Sequence, residues 1–211
     1  MRILVTAGAT WVKIDQVRIL TNIFTGKMGM YLAKSLKDKG HSVTLLINPH
    51  CLGELKGIEA VYYRYFDEFE SALNKILEKN RFDGIIHTAA VSDYRLKRPF
   101  KGKVPSGKDF LRLELIPTKK IIKRIRKLAK KTILIQFKLE MDKIGLIKKA
   151  YNSLKDNNSD FVVANALEDL KKKYRCFIIN KIGEVFEVRS KGELVDYIDK
   201  IVLTQKKGSL K

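Results

Sequence analysis

The sequence predicts an α/β protein, a Rossmann-like three-layer fold with a mostly parallel central sheet, and three observations carry that expectation. Short, almost uninterrupted apolar runs such as Arg2-Ile3-Leu4-Val5-Thr6-Ala7 and Ser42-Val43-Thr44-Leu45-Leu46-Ile47-Asn48 read as strands buried on both faces. Segments with helical apolar spacing separate them: Met28, Leu32 and Leu36 in the first, Phe69, Leu73, Ile76 and Leu77 in the next. As far as Ala89 the two kinds alternate as β-α-β-β-α-β, the order of a parallel sheet covered by helices.

The first strand ends at Gly8, and about sixteen residues separate it from the glycines that open the first helix, a long βα connection. That loop carries Asp15, Arg18 and Asn22. Thr25-Gly26-Lys27-Met28-Gly29 then starts the helix, which runs until Gly40. A helix N-terminus presents unpaired N–H groups and the positive end of a dipole, so these glycines suit an anion such as a phosphate. Neither G-x-G-x-x-G nor G-x-x-x-x-G-K-[ST] is present. Two readings of Gly26 and Gly29 therefore stand side by side: a phosphate site, or close packing of helix on sheet.

Residues 61 to 66 carry aromatic strand formers and read as a third strand, with Asp67 capping the next helix. Phe82 to Ala89 is the fourth. Ligands of such sheets gather at the carboxyl ends of the strands, here the ends bearing Gly8 and Ala89. Ala89-Ala90-Val91-Ser92-Asp93-Tyr94 lies there; its small residues let a ligand approach the backbone and Asp93 offers an acceptor, although a packing turn would use the same residues. His87 reads as a core histidine, since no second ligand stands at metal spacing. No Ser/His/Asp or Cys/His arrangement is present.

Residues 95 to 109 lack periodicity and hold two prolines, two glycines and six cations, the composition of a flexible basic flap. Phe110 to Leu115 alternates as a strand with one wet face. Pro117 leads into a helix with Ile121, Ile122, Ile125 and Leu128 buried, followed by a strand over Thr132 to Glu140. A helix from about Asp142 to Lys155 precedes a strand over Asp160 to Asn165. Cys176 to Ile179 and Glu184 to Val188 form a C-terminal β-hairpin around Gly183. A helix from Ser190 to about Leu203 closes the chain, with Lys206 to Lys211 as a frayed tail. Without repeats or a dividing linker, residues 1–211 are read as one domain.

The 211 residues carry a formal charge of +20, from 43 Lys+Arg against 23 Asp+Glu. Such charge suits a nucleic-acid binder. The cations are nevertheless mostly lysines spread over several helices, without a nucleic-acid motif, so they are read as a solvated surface. No signal peptide or 18-residue apolar run appears, which points away from a membrane. Cys51 and Cys176 stand alone, as expected of free thiols in a reducing cytoplasm.

Several motifs add a more specific expectation. Thr6-Ala7-Gly8-Ala9-Thr10, Asp15-x-Val17-Arg18 and Thr21-Asn22-x-x-Thr25-Gly26-Lys27-Met28-Gly29 open the chain. Ala89 to Tyr94, Gly102-Lys103-Val104-Pro105-Ser106, Pro117 to Ile122, Phe137-Lys138-Leu139-Glu140 and Val163-Ala164-Asn165 follow in order. Together they resemble the phosphopantothenoylcysteine synthetases, the phosphopantothenate–cysteine ligases of coenzyme A synthesis, over nearly the whole chain. Two departures are local: Ala9 replaces a glycine, and Phe24 stands where a serine is usual.

The resemblance implies a standalone ligase joining 4'-phosphopantothenate to cysteine through an acyl-nucleotide, with Mg²⁺ on the triphosphate and no flavin. It implies that Lys103 stabilises the first transition state, with Lys101 and Lys108 as neighbouring candidates, and that Asn22 binds the acyl-nucleotide. Gly8, Phe24, Gly26 and Gly29 would line the phosphates, and Phe137 and Asn165 would hold the nucleoside. Ala89, Ala90 and Asp93 would hold phosphopantothenate, with Arg18 reaching the substrate of the neighbouring subunit of a homodimer. CTP is favoured over ATP, although the Phe-Lys-Leu-Glu form is eukaryotic-type. The rival reading is an NAD(P)-dependent oxidoreductase with a Tyr-x-x-x-Lys pair. Tyr94 is followed at that spacing by Arg98; Tyr151 does precede Lys155, but the glycine fingerprint is missing.

Overall fold

The computed structural model describes residues 1–50, 55–107, 109–170 and 174–208, so Cys51, Lys108 and the last residues of the tail lie outside the described residues. β1 (Arg2–Ala7) leads to a ribbon of β2 (Trp11–Lys13) and β3 (Ile19–Thr21), then α1 (Lys27–Asp38). β4 (Ser42–Ile47), β5 (Glu59–Tyr62), α2 (Phe66–Lys79) and β6 (Gly84–His87) follow. A second ribbon, β7 (Tyr94–Leu96) with β8 (Leu115–Pro117), precedes α3 (Ile121–Leu128) and β9 (Ile133–Glu140). The chain continues through α4 (Leu146–Asn157), β10 (Phe161–Ala166), α5 (Leu167–Leu170), β11 (Cys176–Asn180), β12 (Val185–Val188) and α6 (Lys191–Gly208).

Eight strands form one sheet in the order β12-β11-β10-β9-β6-β1-β4-β5. Its six strands from β10 to β5 are parallel, and β11–β12 is the antiparallel C-terminal hairpin. Alternate residues of the same strand feed opposite layers. Ile3 and Val5 pack with Leu32 and Leu36 of α1 and Ile198 and Val202 of α6. Leu4 packs with Phe69 and Leu73 of α2 and Ile125 of α3 on the other face. Both faces are therefore dry, which is why the strands read as continuous apolar runs. α4 covers Val162 and Ala164 of β10.

Five expectations need correction. The connection after β1 is not a plain loop but holds the β2–β3 ribbon, whose three-residue strands are too short to show a period. The third strand is Glu59–Tyr62, not residues 61 to 66. Tyr63 turns inward, is 2% exposed, and donates its hydroxyl to the carbonyls of Ala7 and Gly8 at 2.8 and 2.9 Å. Asp67 does not cap α2. Tyr65 holds that position, and the Glu68 carboxylate accepts the N–H groups of Arg64 and Tyr65. Phe110 to Glu114 is irregular rather than a strand; only Leu115–Pro117 pairs, with β7, so the first flap residues are themselves strand. Phe110 and Leu111 are exposed, so their alternation had no buried face to satisfy. Finally, residues 206 to 208 continue α6 instead of fraying.

Arg126 fastens the far end of the sheet. Its guanidinium donates to the carbonyls of Ala129, Lys130, Thr132 and Asn158 and pairs with Asp160. Asp160 also accepts the Leu134 N–H at 2.8 Å and the Lys181 ammonium at 2.6 Å. Burial opposes the Asp160 charge, but these donors outweigh it and hold the carboxyl below its ordinary range. Truncation would take a donor from four carbonyls at once and the guanidinium from the partly buried Asp160. Arg126→Ala is expected to lower unfolding stability by about 3 kcal/mol, read as a reduced urea midpoint at unchanged slope.

Candidate active site

Strand order reverses between β1 and β6, because β1 leads on to β4 and β5 while β6 leads on to β9 and β10. The crevice beyond their carboxyl ends is the usual ligand site of such sheets. Past the last ladder bonds the two chains stay joined. Ala90 N–H donates to Gly8 and Thr10 N–H to Ala90, at 3.0 and 3.3 Å. Gly8 makes the turn at φ +88°.

Over this crevice stands the N-terminus of α1. Gly26 caps it at φ +82°, and Met30 N–H to Gly26 is its first helical bond at 3.1 Å. The N–H groups of Lys27, Met28 and Gly29 precede that bond and face outward from the helix end. A Cβ on Gly29 would stand 2.5 Å from Thr88 Oγ1 and 2.6 Å from Ala7 Cβ. Close packing thus accounts for Gly29, while Gly26 serves the turn; both act together to bring the helix end against the sheet.

Gly8, Phe24, Gly26, Gly29, Phe137 and Asn165 line one cavity of about 250 Å³, with Ala89, Ala90 and Lys138 also in its wall. A second cavity of about 610 Å³ lies toward α3 and α4 and shares Ala89, Phe137 and Lys138 with the first. Its rim bears Lys119, Lys120 and Lys149. Its floor includes Gln136, whose amide oxygen accepts from Asn157 at 3.0 Å and Ser159 at 2.9 Å. This neutral network was not read from the sequence, because its members are scattered polar residues on three elements. Asp93 lines the second cavity and pairs with Lys120 at 2.7 Å.

Asn22 follows β3 and donates its Nδ2 to the Ala90 carbonyl at 3.1 Å, which leaves Oδ1 directed away as an acceptor. Arg18 is engaged within the chain. Its Nη1 donates to Asp15 at 2.5 Å and to the Val104 carbonyl at 3.1 Å. Lys103 is exposed on the flap, and neither it, Arg18 nor Asn22 lines the two cavities. Asp15, buried at 3% exposure, was visible only as part of a motif. Burial opposes its charge, but the N–H groups of Val104, Val17 and Arg18 and the Arg18 guanidinium outweigh it and hold the carboxyl at about 2. Tyr151 and Lys155 pack on each other, ring to ammonium at 4.6 Å, and line neither cavity. Cys176 is buried, and burial pushes its thiol up to about 11.

His87 sits in the sheet with its Nδ1 2.8 Å from Thr6 Oγ1. Burial holds its pKa down at about 4, so the ring stays neutral in the fold, whereas an unfolded histidine takes its proton near 6.5. Between these values the unfolded chain binds more protons, so stability falls as pH drops from about 6.5 to 4 and is unaffected by this group above that window. Stability curves over this range should show a loss of about 3 kcal/mol that His87→Gln, which cannot titrate, does not share.

Among the described residues no group of three or more His, Cys, Asp or Glu side chains converges to hold a metal, and no helix is long and apolar enough to cross a membrane. The "Coenzyme A biosynthesis bifunctional protein CoaBC" of Thermococcus kodakarensis is 36% identical over 173 residues, 79% of this chain and 41% of that protein. The protein of the same name from Borreliella burgdorferi is 35% identical over 206 residues, 95% of this chain and 52% of its own. The chain thus spans about half the length of the curated relatives it matches. The crystal structure of the C-terminal domain of a CoaBC protein superposes with a TM-score of 0.79 at 29% identity, covering 98% of this chain and 96% of that one. The DNA/pantothenate metabolism flavoprotein C-terminal domain matches residues 1–204, and the chain belongs to that family.

Proposed function

We propose that this chain is a phosphopantothenate–cysteine ligase acting in coenzyme A biosynthesis, in the cytoplasm. One observation carries the reading: a phosphate-ready helix end and an aromatic wall at Phe137 share one cavity where β1 and β6 diverge, with Asn22 bonded to Ala90 of its wall, in a chain of this family. The substrates are 4'-phosphopantothenate, L-cysteine and CTP or ATP, with Mg²⁺ entering as the counter-ion of the triphosphate. The rival Tyr-x-x-x-Lys reading loses ground because Tyr151 and Lys155 stand away from both cavities.

The pantothenate carboxylate attacks the α-phosphate, an acyl–phosphate bond forms and pyrophosphate leaves. The cysteine amine then attacks the acyl carbon, loses a proton, and displaces the nucleoside monophosphate to leave an amide. Both nucleophiles come from the substrates, so the protein orients them and offsets charge. The helix end and Gly26 receive phosphates; Phe137 and Asn165 flank the nucleoside; Ala89, Ala90 and Asp93 hold phosphopantothenate. Lys103 comes over the α-phosphate from the flap. Asn22, its amide fixed by Ala90, presents Oδ1 to the intermediate.

We further infer that two copies associate. Val17, Ile23 and Phe110 on and beside the two ribbons are 64%, 86% and 75% exposed, apolar side chains that a second copy could cover. Arg18 on the same ribbon would then stand near the partner's substrate. Sedimentation equilibrium is expected to give twice the 24.3 kDa chain mass; a monomer at micromolar concentration refutes the association.

The decisive assay is pyrophosphate release with phosphopantothenate, Mg²⁺ and either CTP or ATP, with and without cysteine. Release dependent on phosphopantothenate, with the amide product only when cysteine is present, is the expected result and identifies the nucleotide. Lys103→Gln should reduce acyl-nucleotide formation by at least about a hundredfold, and Asn22→Asp should impair its conversion to product. Silence with both nucleotides overturns the ligase reading.

A further inference from the structure

The turn of the first ribbon grips the flap at several points. Phe100 N–H donates to the Ile14 carbonyl at 2.9 Å, and Gln16 Nε2 donates to the Lys101 carbonyl at 3.0 Å. At Val104 both backbone groups are held: the N–H by Asp15 Oδ2 at 3.0 Å, the carbonyl by Arg18 Nη1 at 3.1 Å. Val104 is itself buried, at 7% exposure. Gly102 and Lys103 lie between the fastened residues 101 and 104, so the grip defines where the Lys103 side chain begins.

The two oxygens of Asp15 divide the work. Oδ1 accepts the N–H groups of Val17 and Arg18 at 2.8 and 2.7 Å and shapes the ribbon's own turn. Oδ2 accepts Arg18 Nη1 and the Val104 N–H, a contact across 89 residues of sequence. The same ribbon runs on through Thr21 to Asn22, which is bonded to Ala90. A carboxylate with no side-chain exposure thus ties the element bearing Asn22 to the segment bearing Lys103.

We propose that Asp15 is a positioning residue whose Oδ2 clasps the flap at Val104 and so sets Lys103 relative to Asn22. The proposal rests on the ligase reading for the role of Lys103, while the clasp itself does not. Misplacing a reacting group by about 1 Å costs on the order of a hundredfold in rate without removing any binding contact. Asp15→Asn retains an acceptor for the ribbon turn and puts an NH₂ group against the Val104 N–H and Arg18.

The test pairs kinetics with limited trypsinolysis of the full chain, cleavage at Lys101 and Lys103 being followed by mass spectrometry. In Asp15→Asn, kcat for pyrophosphate release should fall about a hundredfold with KM for nucleotide and phosphopantothenate within about threefold. Flap cleavage should accelerate at least about tenfold. Val104→Pro, which deletes the donor from the flap side and leaves a Lys103–Pro bond that trypsin does not cut, should lower kcat alike and accelerate cleavage at Lys101, and the double variant should be no worse at that bond than the more impaired single one. Should Asp15→Asn fail to fold by near-ultraviolet circular dichroism, Val104→Pro decides alone. Unchanged flap cleavage in a folded variant, or kcat within twofold of the parent, overturns the proposal. If the parent itself releases no pyrophosphate, the ligase reading fails, and the cleavage rates alone decide whether the clasp exists.

Discussion

Parallel strands cannot be joined by tight turns. Each chain must leave the sheet at its carboxyl end and cross a face before returning, and where two strands send their chains in opposite directions no connection covers the gap. In this protein β1 and β6 part in that way, and most of the candidate site follows from it. The two chains remain linked by backbone bonds through Gly8, Thr10 and Ala90, so the gap is narrow and its floor consists of peptide groups. Small residues are required there, α1 can press close only because residue 29 lacks a Cβ, and Tyr63 and Asn48 secure the carbonyls of Ala7, Gly8 and Ala9 from beneath.

Legibility in the sequence tracked the length and burial of each signal. Five of the six parallel strands were plain because burial on both faces leaves long apolar runs, β5 was misplaced because its residues are exposed or half-buried, and the hairpin at Gly183 was marked by its turn. The ribbons were not, since three residues cannot establish a period, and the alternation from Phe110 to Leu115 misled because its apolar side chains are exposed. Tyr63 read as a strand aromatic although its hydroxyl is the part that matters. In the site, the residues around the smaller cavity were reached through motifs; Phe137 by itself would have passed for core. The amide network at Gln136 and the reach of Asp15 to Val104 depend on three-dimensional proximity between distant polar residues, for which a single sequence holds no periodic trace.

The large positive charge, 43 Lys+Arg against 23 Asp+Glu, includes part of the cavity lining. Several lysines around the larger cavity are already paired, Lys119 with Glu70, Lys120 with Asp93, Lys149 with Glu140. Exposed pairs of this sort contribute little to stability. The excess of cations over the whole surface leaves the protein with a net positive field.

The ribbons are hydrogen-bonded as sheets of their own, separate from the eight-stranded one. Undoing either of them breaks no rung of the main ladder. Asn22 and the flap therefore ride on elements that can open without breaking the eight-stranded ladder. In a domain built this way, a local opening at the crevice leaves every rung of the main sheet in place.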